Sequence, residues 1–239
     1  MTHIGFVIWY NFGVSKIGHW ISIEGINGAG KRNLLEALRQ RLQSRGIEVL
    51  SFSRYLTPEL VVLWKQLVRA DAVDQRQAAV LAAADAVVGY SNLIRPALLA
   101  GKWVIMDGFT TSHKVLFQQR GVPSSELDAL FGHVPLPDQV FYLHTPVADA
   151  LQRGREQGSL DPWTIGLDST GLSIGQAWAT RTLLTQPQME AAFITWQAGA
   201  QALYPSSLPA GRSMTLNGGD PLSQLVERVM ASLPLGAAD

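Results

Sequence analysis

The chain has 239 residues, 19 Lys and Arg against 19 Asp and Glu, five His and no Cys. A net charge of 0 argues against nucleic acid or an anionic membrane as the main partner. The lack of Cys excludes disulfides, thiolate nucleophiles and Cys-ligated zinc, and leads to the expectation of a cytoplasmic protein. Hydrophobic residues at 47% suffice for a full core, whereas charged residues at 16% fall below the roughly 25% of an average domain, so a homodimer partner is expected to cover part of the surface.

Residues 1–18 read as an N-terminal extension, with an apolar run at 6–10 fit for an edge strand or a contact patch; no Lys or Arg precedes that run, so a signal peptide is not expected. A buried strand at 20–24 runs straight into a glycine-rich turn. Leu34, Leu35, Leu38 and Leu42 then share one face of a helix over 31–44, stopped by Gly46. Further along, a strand at 47–52, helices over 59–69 and 75–94, and buried strands at 103–107 and 139–144 are predicted. A helix over 147–157, two helical stretches between 173 and 204, a strand at 214–216 and a closing helix over 221–233 complete the pattern. Strands alternating with helices predict a parallel sheet with helices on both faces, a three-layer α/β domain over 19–239. The Gly-, Ser- and Thr-rich stretch 158–175 breaks the rhythm and reads as a mobile loop or lid, within a lid region of about 153–186.

Gly25-Ile-Asn-Gly-Ala-Gly-Lys31 has the spacing G-x-x-x-x-G-K between a predicted strand and a predicted helix, the context a phosphate-binding loop requires. Its glycines let backbone N–H groups turn toward phosphate oxygens, the helix N-terminus adds positive potential, and Lys31 reaches the β- and γ-phosphates. Gly25, Asn27, Gly28, Ala29, Gly30, Lys31, Arg32 and Asn33 are therefore the expected contacts of ATP. Position 32 normally carries the Ser or Thr that ligates Mg²⁺. Arg32 has no lone pair to give a metal, and is expected either to donate to phosphate oxygens or to pair with Asp107.

With that loop placed, the chain resembles the thymidylate kinase family over about residues 21–204. Three blocks carry the resemblance: the loop with its helix; Ile94-Arg-Pro-Ala-Leu-Leu-Ala-Gly-Lys-Trp-Val-Ile-Met-Asp107; and Pro137-Asp-Gln-Val-Phe-Tyr-Leu143 followed by Arg153. The resemblance implies a P-loop NTPase fold, often dimeric, that moves the γ-phosphoryl of Mg-ATP onto a nucleoside monophosphate such as dTMP. It implies catalytic roles for Lys31, Asp107, Arg153 and Arg155, and acceptor contacts at Arg54 and Ser112. Tyr55 and Phe109 are candidates to stack on a base.

The departures from the family pattern fall on the same chemistry. Tyr55 stands for the Glu of Arg-Glu-Pro, Gly108 for the Arg of Asp-Arg, Ala86 for an acceptor-phosphate arginine and His144 for an Asp; in 157–164 the lid pattern Arg-Gly-x-Leu-Asp-Arg-x-Glu has become Gln-Gly-Ser-Leu-Asp-Pro-Trp-Thr. No metal ligand set is expected. Phosphoryl transfer rests on positioned cations, one of which is worth roughly 10³–10⁵ in rate. Three readings follow: a kinase for a less charged acceptor such as a nucleoside or small alcohol, an inactive pseudokinase that binds a nucleotide or a partner, and a conventional dTMP kinase. His113 and Lys114 lie on a rim helix as candidates to reach an acceptor, or on its solvated face.

Overall fold

A computed structural model describes residues 18–235 apart from 159, 162, 170, 181 and 182. The expected edge strand at 6–10, and Ser159 and Pro162 of the expected lid, lie outside the described residues. Five strands form one wholly parallel sheet: β1 (Trp20–Glu24), β2 (Val49–Ser53), β3 (Trp103–Asp107), β4 (Gln139–His144) and β5 (Ser213–Asn217), in the order β2-β3-β1-β4-β5. The helices are α1 (Lys31–Gln43), α2 (Pro58–Arg69), α3 (Gln75–Gly89), α4 (Arg95–Leu99), α5 (Thr110–Gln119), α6 (Ser124–Phe131), α7 (Val147–Glu156), α8 (Ile174–Thr180), α9 (Gln186–Ser207) and α10 (Leu222–Ser232).

The period of two along a strand divides the core. Ile21, Ile23, Trp103 and Ile105 join one cluster with Leu34, Leu38 and Leu42 of α1 and Leu225 and Val229 of α10. Trp20, Val104 and Met106 point the other way, into a second cluster with Ala79, Ala83 and Ala86 of α3 and Phe117 and Phe131 of α5 and α6. The three-layer α/β expectation therefore holds, and both layers are apolar enough to bury the sheet on each face.

The predicted helix over 75–94 is not uniform. It starts at a capping box, Asp74 accepting from the Gln77 backbone and Gln77 from that of Asp74, and after Gly89 widens into a π-helical turn, Tyr90–Ile94. The cause is Pro96, whose ring would clash with the carbonyl four residues back in a regular α-helix; here Arg95 N–H reaches Tyr90 O instead. The whole run Gln75–Leu99 has the length and composition of a membrane span, yet Ala79, Ala86 and Ile94 are core. Helix α6 was not anticipated, because residues 124–131 are too short for a periodic signal.

In open parallel sheets the ligand rim lies at the carboxyl ends of the strands. Here that rim brings together Glu24, Arg54, Asp107 and His144, since Ile23 pairs in register with both Asp107 and Phe141.

Candidate functional site

The loop between β1 and α1 is built before any ligand arrives. Gly28 has φ +77°, and a Cβ there would meet the carbonyl oxygen of Ala150 at 2.2 Å. Left-handed backbone and close approach together admit only glycine. Four side chains from other elements brace the loop from behind: Tyr204 Oη donates to Gly25 O at 2.9 Å, Thr145 Oγ1 to Ala29 O at 3.0 Å and Arg153 Nη1 to Ala29 O at 2.8 Å, while Gln197 Oε1 accepts from Asn27 N–H at 3.1 Å. The backbone N–H groups of Gly30, Lys31 and Arg32, in contrast, have no protein partner among the described residues. They are the free amides of a helix N-terminus, the kind of donor set that can hold an anion.

Residues 27–33 of the loop, with Asp107, Gln157 and Thr164, line an open cleft of about 470 Å³. Seven of the eight expected ATP contacts are thus brought together, while Gly25 lies at the rear of the loop on a neighbouring pocket. Lys31 Nζ donates to the carbonyls of Gly25 and Ile26 at 3.0 and 2.9 Å. Burial lowers its ammonium from the ordinary lysine value, and the charge of Asp107 works in the opposite direction. A triphosphate fits this cradle: free amides, a lysine on a short tether and a helix N-terminus converge on one cleft.

Magnesium does not fit the donors at position 32. The Arg32 side chain is 86% exposed, and its Nε lies 3.9 Å from Asp107 Oδ2, so it faces the one carboxylate lining the cleft among the described residues. A guanidinium offers hydrogen-bond donors and no lone pair.

The remaining expected site residues separate into distinct places. Arg153 also donates to Gly218 O at 3.1 Å, so its guanidinium straps the loop to the β5–α10 turn. Arg155 is paired with Glu190 of α9. Ser112 is buried, donates its hydroxyl to Glu24 and has its Oγ 3.0 Å from Tyr204 Oη. Phe109 is fully buried with its ring edge-on to Trp20, 5.3 Å between centroids, so it is core and not a stacking platform. Arg54 lines the pocket behind the loop, and its buried Nε has no hydrogen-bond partner. Gly108 has φ +72°, and a Cβ there would sit 3.1 Å from Ser112 Oγ and 4.0 Å from Arg54 Nε. Arg54 therefore stands beside the spot from which the missing arginine would extend. Tyr55 is exposed and meets the His113 ring edge-on.

His113 is not on a solvated face. Its ring is fully buried between Phe117 and Phe131, and burial, reinforced by the Arg54 charge, pushes its pKa down to about 3. Lys114 pairs with Asp128 at 2.8 Å.

Two clusters were missed from the sequence. Glu24 is 1% exposed and accepts from the backbone N–H groups of Phe109 and Ser112, both at 3.0 Å, capping α5 from β1. Arg120 and Asp168 form a bidentate pair at 2.7 and 2.9 Å, with the guanidinium 4.0 Å from the Trp163 ring and 4.5 Å from the Trp196 ring. That pair fastens the stretch read as a mobile lid onto α5 and α9. Neither cluster has a local signal, since its members lie 48 to 88 residues apart.

The thymidylate kinase family model matches residues 23–164, from the end of β1 through the phosphate loop to the lid. The chain belongs to the thymidylate kinase family. Among thymidylate kinases, that of Nitrosomonas eutropha is 33% identical over 174 residues, covering 69% of this chain and 79% of that protein. The Psychrobacter sp. thymidylate kinase is 32% identical over 157 residues, 61% of this chain and 74% of that protein. A probable thymidylate kinase of Pyrococcus horikoshii is 30% identical over 149 residues, 60% and 73% respectively.

Proposed function

We propose that this member of the family binds ATP through the phosphate loop without a side-chain ligand for magnesium, and that phosphoryl transfer to dTMP is lost or greatly slowed. The observation that carries this reading is Arg32, a guanidinium 3.9 Å from Asp107 where a metal-ligating hydroxyl is the rule. The other cations support it. Arg153 is spent on loop carbonyls and Arg155 on Glu190. Electrostatic stabilisation of a transferring phosphoryl needs cations aimed at the charge that develops.

Within this reading, Lys31 and the free amides of α1 hold the triphosphate, and Arg32 supplies positive charge at its edge. A second reading, transfer to an acceptor without a phosphate, is favoured by one observation: Arg54 is unpartnered at Nε beside Asp107 and Gly108, while Ala86 and Gly108 remove two cations.

The experiment is a calorimetric titration with ATP, with and without Mg²⁺, on the wild type and Arg32→Thr, alongside ADP formation with dTMP and with thymidine. The expected result is wild-type ATP binding indifferent to Mg²⁺ and Mg²⁺-enhanced binding in Arg32→Thr. ADP formation with dTMP is expected at least about 10³-fold below the roughly 1–100 s⁻¹ of ordinary kinases. Turnover in that ordinary range with dTMP and Mg²⁺ overturns the proposal, and turnover with thymidine alone selects the second reading.

A further inference from the structure

We propose that Gln197 of α9 is a positioning residue that couples the lid segment to the phosphate loop, so that one buried amide holds the wall and the floor of the cleft in a single geometry. Its effect on ATP rests on the reading that ATP occupies the loop, whereas the coupling itself is a property of the protein without ligand.

Gln197 is 1% exposed and lines the small pocket behind the loop, not the cleft itself. Both ends of its amide are used. Oε1 accepts from Asn27 N–H at 3.1 Å, and Nε2 donates to Thr164 O at 2.6 Å. Asn27 and Thr164 in turn both line the cleft, one in the loop and the other in the lid segment. Each partner is fixed on its own side. Asn27 adjoins Gly28, whose close approach to Ala150 sets the turn. Thr164 closes a turn in which its N–H donates to Asp161 Oδ1 at 2.8 Å and its Oγ1 accepts from Asp161 N–H at 2.9 Å. Helix α9 is anchored beside Gln197 as well: Gln119 Nε2 donates to Trp196 O at 2.6 Å, and the Trp196 ring fills the space that a Cβ on Gly166 would take.

Burial makes this link stiff. If the lid segment backs away, Nε2–H and Thr164 O lose their bond inside the protein; if the loop shifts, Asn27 N–H and Oε1 lose theirs. Each group left unpaired has given up water without replacement. Displacing either segment therefore strains the other through the same side chain, which is the condition for a coupling between two places in a fold. The residue type matters, because an amide presents an acceptor and a donor at one uncharged tip. Met has nearly the same length and volume and offers no N–H donor, so Gln197→Met removes the link while leaving the space filled. Gln201, one turn further along α9, donates to Thr145 O at 3.1 Å and so joins α9 to β4's end without touching the lid segment.

The test follows hydrogen exchange over residues 25–30 and 163–168 in the full chain, as wild type, Gln197→Met and Gln201→Met, without ligand and with saturating ATP, alongside calorimetric ATP titrations. Without ligand, exchange in both segments is expected to rise about tenfold in Gln197→Met, the worth of one lost hydrogen bond, and over 163–168 to stay at the wild-type rate in Gln201→Met. ATP is expected to slow both segments in wild type but only the loop in Gln197→Met, and to bind that variant several-fold to about tenfold more weakly. In wild type, low urea is expected to open the two segments together. The coupling is overturned if folded Gln197→Met changes one segment alone or neither, or if ATP still slows 163–168 in that variant. Separate openings of the two segments in wild type overturn it as well, whether or not Gln197→Met folds. Equal ATP affinity in wild type and Gln197→Met overturns the positioning role. Wild type that binds no ATP refutes ATP at the loop instead, and the measurements without ligand still decide the coupling.

Discussion

At the scale of single residues, burial decides more than residue type. His113 sits where a catalytic histidine would be attractive, yet its ring is sealed among aromatics and its pKa is about 3, so it is neutral at physiological pH. Its folded pKa lies below the ordinary value of about 6.5 in the unfolded chain. The unfolded state therefore binds the proton first, and His113 costs no stability above about pH 6.5 but an increasing amount as pH falls toward 3. The expected slope is about 1.4 kcal/mol per pH unit across that window. His113→Phe is expected to be neutral or stabilising at pH 7.5 and to flatten the acid limb, measured by urea unfolding at pH 7.5, 6, 5 and 4. An equal slope in the variant refutes the assignment. Residue identity alone could not reveal this, because Phe117 and Phe131 enclose the ring only once α5 and α6 pack together.

At the scale of elements, the phosphate loop and the strands were legible and the braces were not. The spacing from Gly25 to Lys31 is itself the chemistry, and the continuous apolar runs of β1, β3 and β4 admit few readings besides a buried parallel strand. By contrast, Glu24 and the Arg120–Asp168 pair join parts of the chain distant in sequence, and Gly/Ser/Thr-rich composition alone led residues 158–175 to be read as mobile. Arg120 and Asp168 side chains are 0% and 3% exposed, which makes the clamp costly to break from one side. Asp168→Ala leaves a buried guanidinium unpaired and is expected to lose about 3–5 kcal/mol. Replacing both partners by apolar residues, Arg120→Met with Asp168→Leu, is expected to recover most of it, since a well-packed apolar pair escapes the desolvation penalty. Chemical unfolding of the two variants checks this. A double variant as unstable as the single one shows that contacts other than the ion pair hold the lid.

At the scale of the whole molecule, one sheet serves two cores and one rim, and the loop on that rim is supported by residues from β4 through α9. Tyr204, Gln197, Thr145 and Arg153 reach it from elements more than a hundred residues along the chain. A cradle held this way changes little on binding, so the affinity of a triphosphate appears largely as added stability of the folded state. At a ligand concentration of 100 times Kd the gain is about 2.7 kcal/mol. For a domain of this size each kcal/mol raises Tm by roughly 2–4 °C, which gives an expected ATP-induced rise of about 5–11 °C. Lys31→Ala keeps the glycine turn and the four braces from later elements while removing the ammonium proposed to reach the phosphates, together with its bonds to Gly25 O and Ile26 O. Its Tm without ATP is expected to stay within about 2 °C of wild type, and its ATP-induced rise to fall below about 3 °C at the same ligand concentration. A scanning-calorimetry series in ATP, with ADP and adenosine as controls, separates the contributions. A rise that depends on the phosphate chain and on Lys31 places the ligand on the loop, and one that adenosine reproduces places it elsewhere in the fold.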